Sequence, residues 1–87
     1  MKVLAQEIEM IASFRQQGDI RPHRFRVAED GGERRVIHVD KILQTEDTKL
    51  AGVRAIVFTC QSVIAGAERL YQIKYRVDEH RWELYKM

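Results

Sequence analysis

The stretch Leu70-Tyr71-Gln72-Ile73-Lys74-Tyr75-Arg76-Val77 sorts onto two faces. Tyr71, Ile73, Tyr75 and Val77 share one, and Gln72, Lys74 and Arg76 share the other. A period of two with aromatic and β-branched residues on the apolar side is the pattern of a half-buried β-strand. Asp78, Glu79, His80 and Arg81 then read as a tight connection. Beyond them Trp82, Leu84 and Lys86 fall on one face, Glu83 and Tyr85 on the other. The two runs predict a β-hairpin across 70–86. The Asp-Glu pair lacks the glycine of the best two-residue turn, so the turn type stays open.

Upstream, residues 53–60 alternate Ile56, Phe58 and Cys60 with Ala55, Val57 and Thr59. Both faces are largely apolar, which predicts a central strand. Residues 61–67 are ambiguous: Gly66 reads as a turn position, and a short helical turn is an alternative. Residues 23–27 place Phe25 and Val27 opposite Arg24 and Arg26. Glu29-Asp30-Gly31-Gly32 is the strongest turn signal of the chain, and residues 34–39 resume a strand, giving a second hairpin. Ile42 and Leu43 either continue it or end it with a bend. The polar run 44–49 reads as a loop or an edge, and Gly52 restarts the chain.

The N-terminus fits two patterns. Leu4, Ile8, Ile11 and Phe14 form a helical stripe; Ile8, Met10, Ala12 and Phe14 fit a strand. Gln6, Glu7 and Ala5 favour the helix locally, while the need to cover a sheet edge favours the strand. Gly18 and Pro22 close either element. The fold class expected is mostly β, a small, strongly curved antiparallel barrel of five or six strands, of SH3-like or OB-like size. The alternative is an open antiparallel sheet with an N-terminal helix.

Eighty-seven residues with 45% hydrophobic content supply one core and no second one, so residues 1–87 are expected to be a single domain. The formal net charge is +2, weak evidence for any partner. Residues 15–41 and 69–87 carry the excess of Arg and Lys, with no basic tail. Cys60 is the single cysteine, which excludes an internal disulfide and a CxxC redox or zinc pattern. No run approaches the ~20 apolar residues of a membrane-spanning helix, and no signal cleavage pattern follows the first residues. No membrane association and a cytoplasmic location are the expectations by elimination.

The succession Ile11-Ala12-Ser13-Phe14, Gly18-Asp19-Ile20-Arg21-Pro22, Phe25-Arg26, Val39-Asp40-Lys41-Ile42, Ala51-Gly52, Phe58-Thr59-Cys60-Gln61-Ser62, Tyr71-Gln72-Ile73-Lys74-Tyr75 and Trp82-Glu83-Leu84 resembles a group of short uncharacterised single-domain proteins of Gram-positive, Firmicutes-type bacteria. The resemblance spans nearly the whole chain and contains no catalytic signature. It implies a bacterial domain with a strand, not a helix, across residues 7–14. It transfers no activity, ligand or site.

Several residues invite a chemical role. Cys60 with His23, His38 or His80 would be a nucleophile and base, but Cys60 shares the register of Ile56 and Phe58, and core packing is the better account. The histidines match no zinc spacing. The acid pairs Glu29-Asp30, Glu46-Asp47 and Asp78-Glu79 fall in connections, where solvation keeps carboxylates ordinary. Gly31-Gly32 lacks the neighbours of a phosphate loop. No catalytic residue, metal ligand or cofactor is expected, and the chain is not read as an enzyme.

The remaining candidates are a basic face and a strand edge. Arg21, Arg24, Arg26 and Arg34, with Lys41 and His38 nearby and Lys74 and Arg76 if their strand is adjacent, would make a positive stripe. Tyr85 is its best exposed aromatic. Glu33, Asp40 and Glu83 dilute the field. Residues 33–43 would offer an edge to a partner strand or to a second copy. The expected function is a noncatalytic protein-interaction or structural module, with a protein partner or a homo-oligomer. The alternative is a small nucleic-acid-binding β-barrel using the basic face.

Overall fold

In the computed structural model, which describes residues 1–29 and 31–87, each alternating stretch of the sequence is a strand. The elements are β1 (Val3–Phe14), β2 (Ile20–Ala28), β3 (Arg34–His38), β4 (Lys41–Leu50), β5 (Val53–Ile64), β6 (Ala67–Arg76) and β7 (Arg81–Lys86). They form one antiparallel sheet in the order β3-β2-β1-β7-β6-β5-β4. Both expected hairpins are present, β2–β3 and β6–β7, and β5 is paired on both sides. Asp30, part of the turn expected between β2 and β3, lies outside the described residues; Glu29 N–H donates to the Glu33 carbonyl there at 2.7 Å.

Residues 3–14 are a strand and carry no helix. Of the helical stripe Leu4, Ile8, Ile11 and Phe14, Ile8 alone is buried. The strand is needed where it sits, because β1 joins β2 to β7 and so holds the two hairpins in one sheet. The count of five or six strands is corrected to seven. The polar run 44–49 belongs to β4, and an edge strand tolerates polar residues on both faces. Residues 61–64 extend β5 rather than form a helical turn.

Strands β3 and β4 occupy opposite edges of the sheet, yet Val39 and Asp40 alone separate them. In a flat sheet six strand spacings would set those edges about 29 Å apart. From His38 to Lys41 the chain reaches at most about 11 Å. The sheet therefore curls until its edges stand about 9 Å apart, a half-barrel rather than the closed barrel expected. Single-residue bulges assist the bend: the pairing slips at His23 in β2, at Leu43 in β4, at Tyr85 in β7 and between Val3 and Gln6 in β1.

The link is pinned from both sides. Val39 N–H donates to the His23 carbonyl of β2 at 2.8 Å. Ser62 Oγ of β5 donates to the His38 carbonyl at 2.6 Å and accepts the Asp40 N–H at 3.4 Å. Tyr71 O–H donates to the same Oγ. Asp40 Oδ2 accepts the Val63 N–H at 2.9 Å. Ser62 and Tyr71 are buried, so each polar atom here needs its partner.

The concave side holds the core: Ile8, Phe25, Val27, Ile37, Phe58, Cys60, Tyr71, Ile73, Tyr75, Trp82 and Leu84. Aromatic rings run through it. Trp82 lies 4.6 Å from Tyr75 and 5.8 Å from Phe58, and Phe25 lies 5.8 Å from Tyr71. Such pairs add about 0.5–1.5 kcal/mol each beyond their burial.

The hairpins β4–β5 and β5–β6 turn on two residues each, Ala51-Gly52 and Ala65-Gly66. All four have positive φ: 52° and 82° in the first pair, 51° and 81° in the second. This is the mark of the I′ turn, which asparagine or glycine enters more easily than alanine. Ala51→Asn and Ala65→Asn should each raise stability by about 0.5–1 kcal/mol in urea unfolding; no gain would contradict the left-handed turns. Ser62→Ala should lower it by about 2–3 kcal/mol, because the Tyr71 hydroxyl and the His38 carbonyl lose their partner together. An unchanged midpoint would show that the link is held some other way.

Candidate functional site

The residues expected to form one basic stripe lie in two groups on the convex side. Arg24 and Arg26 of β2 face outward, opposite His38 and Val36 of β3, with Arg34 at the start of β3. Arg21 sits at the head of β2, opposite Ser13. Lys74 and Arg76 of β6 and Tyr85 of β7 form the second group. Strands β1 and β7 run between β2 and β6 and present Glu7, Glu9 and Glu83, with Glu7 directly opposite Glu83. An acidic row thus divides the expected stripe.

The first group is partly neutralised. Glu9 takes Arg26 at 3.0 Å and Arg34 at 2.6 Å, one carboxylate holding two guanidinium groups. Exposed Ile11 and Val36 stand beside them. Ser13 Oγ and His23 Nε2 share a hydrogen bond of 2.6 Å on this face, a pair the sequence did not single out. Both residues sit on the outer surface of the sheet, and the strand slip at His23 is what brings its ring to Ser13.

The second group lies in a groove. Its lining comes from the outer side of β4–β7: Glu46, Thr48 and Lys49 of β4, Ala55 and Val57 of β5, Gln72, Lys74 and Arg76 of β6, and Tyr85 and Lys86 of β7, with the hairpin tip Leu50, Ala51 and Val53 at one end. The volume is about 620 Å³. Pairing explains its depth. Val57 lies between Glu46 and Lys74, and Ala55 between Thr48 and Arg76, so small residues line a trough below longer neighbours. Both are buried although they point outward.

Lys86 is where the sequence pattern misleads. Alternation put it on the face of Trp82 and Leu84. The bulge at Tyr85 turns it over, and it pairs with outward Gln72. Bulges re-aim side chains in this way. Its ammonium then lies 5.0 Å from the centre of the Tyr85 ring, and that of Lys74 lies 3.8 Å from the same ring. Lys49, placed by sequence in a loop or edge, borders the groove at the end of β4, but it pairs with Arg54 and alternates with outward Glu46 and Thr48, so its side chain belongs to the other face. Arg76 pairs with Glu83 at 3.4 Å. Among the described residues Lys74 and Lys86 make no ion pair, and Glu46 is the acid that lines the groove.

Cys60 is fully buried between Phe58 and Tyr71 of the core, and burial pushes its thiol up to about 12. Burial likewise pushes the Tyr71 hydroxyl well above its ordinary range, against the lowering effect of its bond to Ser62. Among the described residues no three His, Cys, Asp or Glu side chains gather at metal-holding distance, and no helix is long and apolar enough to cross a membrane.

Comparison of the chain with family models, curated proteins and solved structures gives no match.

A thiol raised from its ordinary value near 9 to about 12 by burial keeps its proton in the folded chain and loses it in the unfolded one. Its contribution to stability is complete below pH 9 and falls as pH climbs toward 12. Disulfide-reagent labelling of Cys60 at pH 8 should therefore follow unfolding, negligible in buffer and complete in urea. Rapid labelling of the folded chain would place the thiol at the surface. Urea midpoints measured from pH 8 to 11 should fall, and Cys60→Ala should move the onset upward.

Proposed function

We propose that this chain is a noncatalytic protein-interaction module of a bacterial cytoplasmic protein, and that it receives an extended partner segment along β4 and the groove beside it. The observation that carries the reading is β4 itself. It is ten residues long, hydrogen-bonded among the described strands to β5 alone, and exposed along most of its length. Leu43 and Leu50 stand open on it, Leu50 at 80% exposure. An unpaired edge offers backbone donors and acceptors to a further strand, from a partner or from a second copy. The groove next to it adds an apolar floor, Ala55 and Val57, for side chains of the incoming segment.

Nucleic acid suits these surfaces less well. Single-strand binding relies on open aromatic faces for stacking and on a continuous basic track. Tyr85 already carries an ammonium 3.8 Å from its centre. Arg26 and Arg34 are engaged by Glu9, and the acidic row of β1 and β7 interrupts the track.

The test is a sedimentation series over concentration, together with capture of proteins from a bacterial lysate on the immobilised chain. Self-association, or a retained protein lost on Leu43→Glu and Leu50→Glu, is the expected result. A monomer at every concentration that retains no protein would overturn the reading.

A further inference from the structure

We infer that Lys74, Tyr85 and Lys86 form a carboxylate-binding site in the wall of the groove, and that the segment taken there alternates acidic and apolar residues. The inference rests on the protein-binding reading above and names the chemistry of the partner.

Charge complementarity makes the case. Two ammonium groups converge on one ring, at 3.8 Å and 5.0 Å from its centre. Neither has an ion pair among the described residues, while Arg76 beside them is taken by Glu83. One acid, Glu46, lines the groove against these cations. Both ammonium groups lie against the Tyr85 ring, and a carboxylate beside either one meets a charge-assisted donor.

The floor restricts what the rest of the ligand can be. Ala55, Val57 and Val53 are apolar, and the hairpin tip adds exposed Leu50. A free small anion would leave that surface wet. An extended chain with side chains of period two places apolar groups on the floor and acids at the lysine wall. A polynucleotide would bring the charge, but would need an open ring face where Lys74 sits.

Fluorescence anisotropy decides the matter. The probes are a fluorescein-labelled peptide of alternating glutamate and valine, the same peptide with glutamine in place of glutamate, and a labelled oligothymidine. The proteins are the full chain, K74Q/K86Q, K74R/K86R and Y85F, each checked for an unchanged thermal transition. The acidic peptide should bind, more weakly as salt rises. K74Q/K86Q should weaken it by about tenfold, K74R/K86R should hold it within about twofold, and the glutamine peptide should bind about tenfold less well than the acidic one. Y85F, which keeps the ring, should bind as the parent does. Equal binding of the glutamine and glutamate peptides, or an unaltered K74Q/K86Q, would overturn the carboxylate site while leaving lysate capture and the protein-binding reading intact. Oligothymidine held through the two lysines with neither peptide bound would overturn the inference in favour of nucleic acid. If all three probes stay free, the site is wrong, and the fate of the broader reading is decided separately by the sedimentation and capture results.

Discussion

Two residues, Val39 and Asp40, join the opposite edges of a seven-stranded sheet, and that short link constrains everything else. A chain that must cross from β3 to β4 in so few steps cannot belong to a flat sheet. Curling is thus a requirement of connectivity before it is a consequence of packing. The hydrogen bonds of Ser62, Asp40 and Tyr71 fix where the crossing happens. The bonds of Ser62 are buried or part-buried, so water does not readily replace them, and the link acts as a clasp rather than a hinge.

Curvature has a second consequence on the outside. Each bulge that bends a strand also changes which side chains meet on its convex face. The slip at Tyr85 carries Lys86 from the core side to the outer side, next to Lys74 and the Tyr85 ring. The slip at His23 brings that ring to Ser13. The same irregularities that let the sheet wrap its core compose the surface clusters. In β5 the two roles meet: Phe58 and Cys60 fill the concave side, while Ala55 and Val57, small and turned outward, form the floor of the groove.

Alternation alone was enough for β6 and β7, because half-buried strands must separate polar from apolar residues and these do, and β5 was legible as a central strand because both its faces are largely apolar. It was not enough for β4. Lys41–Leu50 sits at an edge with solvent on both faces for most of its length, so burial imposed no pattern on it, and its turn uses Ala51-Gly52 in place of the Asn-Gly that would have announced a hairpin. Residues 3–14 satisfied helix and strand patterns equally from their own composition. Their strand is set by pairing with β2 and β7, which is information held elsewhere in the chain. Arg24, Arg26 and Arg34 were legible as neighbours because their hairpin was. The division of Arg24 and Arg26 from Lys74 and Arg76 was not legible, since it follows from β1 and β7 lying between β2 and β6. Lys86 joined the groove through a bulge, which a regular period cannot register.

The lysine pair is hard to explain as a device for stability. Two like charges against one ring repel, and water at the surface screens that repulsion. The attraction of each to the Tyr85 ring is about 0.5–1 kcal/mol at such a site, so the arrangement is nearly neutral for the fold. Apart from one another, the same lysines would give the chain as much solubility and less repulsion. Held together above an apolar trough, they cost the fold little and concentrate positive potential where an anionic side chain would relieve it. That balance separates this cluster from the Glu9 cluster, whose carboxylate already satisfies Arg26 and Arg34 and leaves less for a ligand to gain.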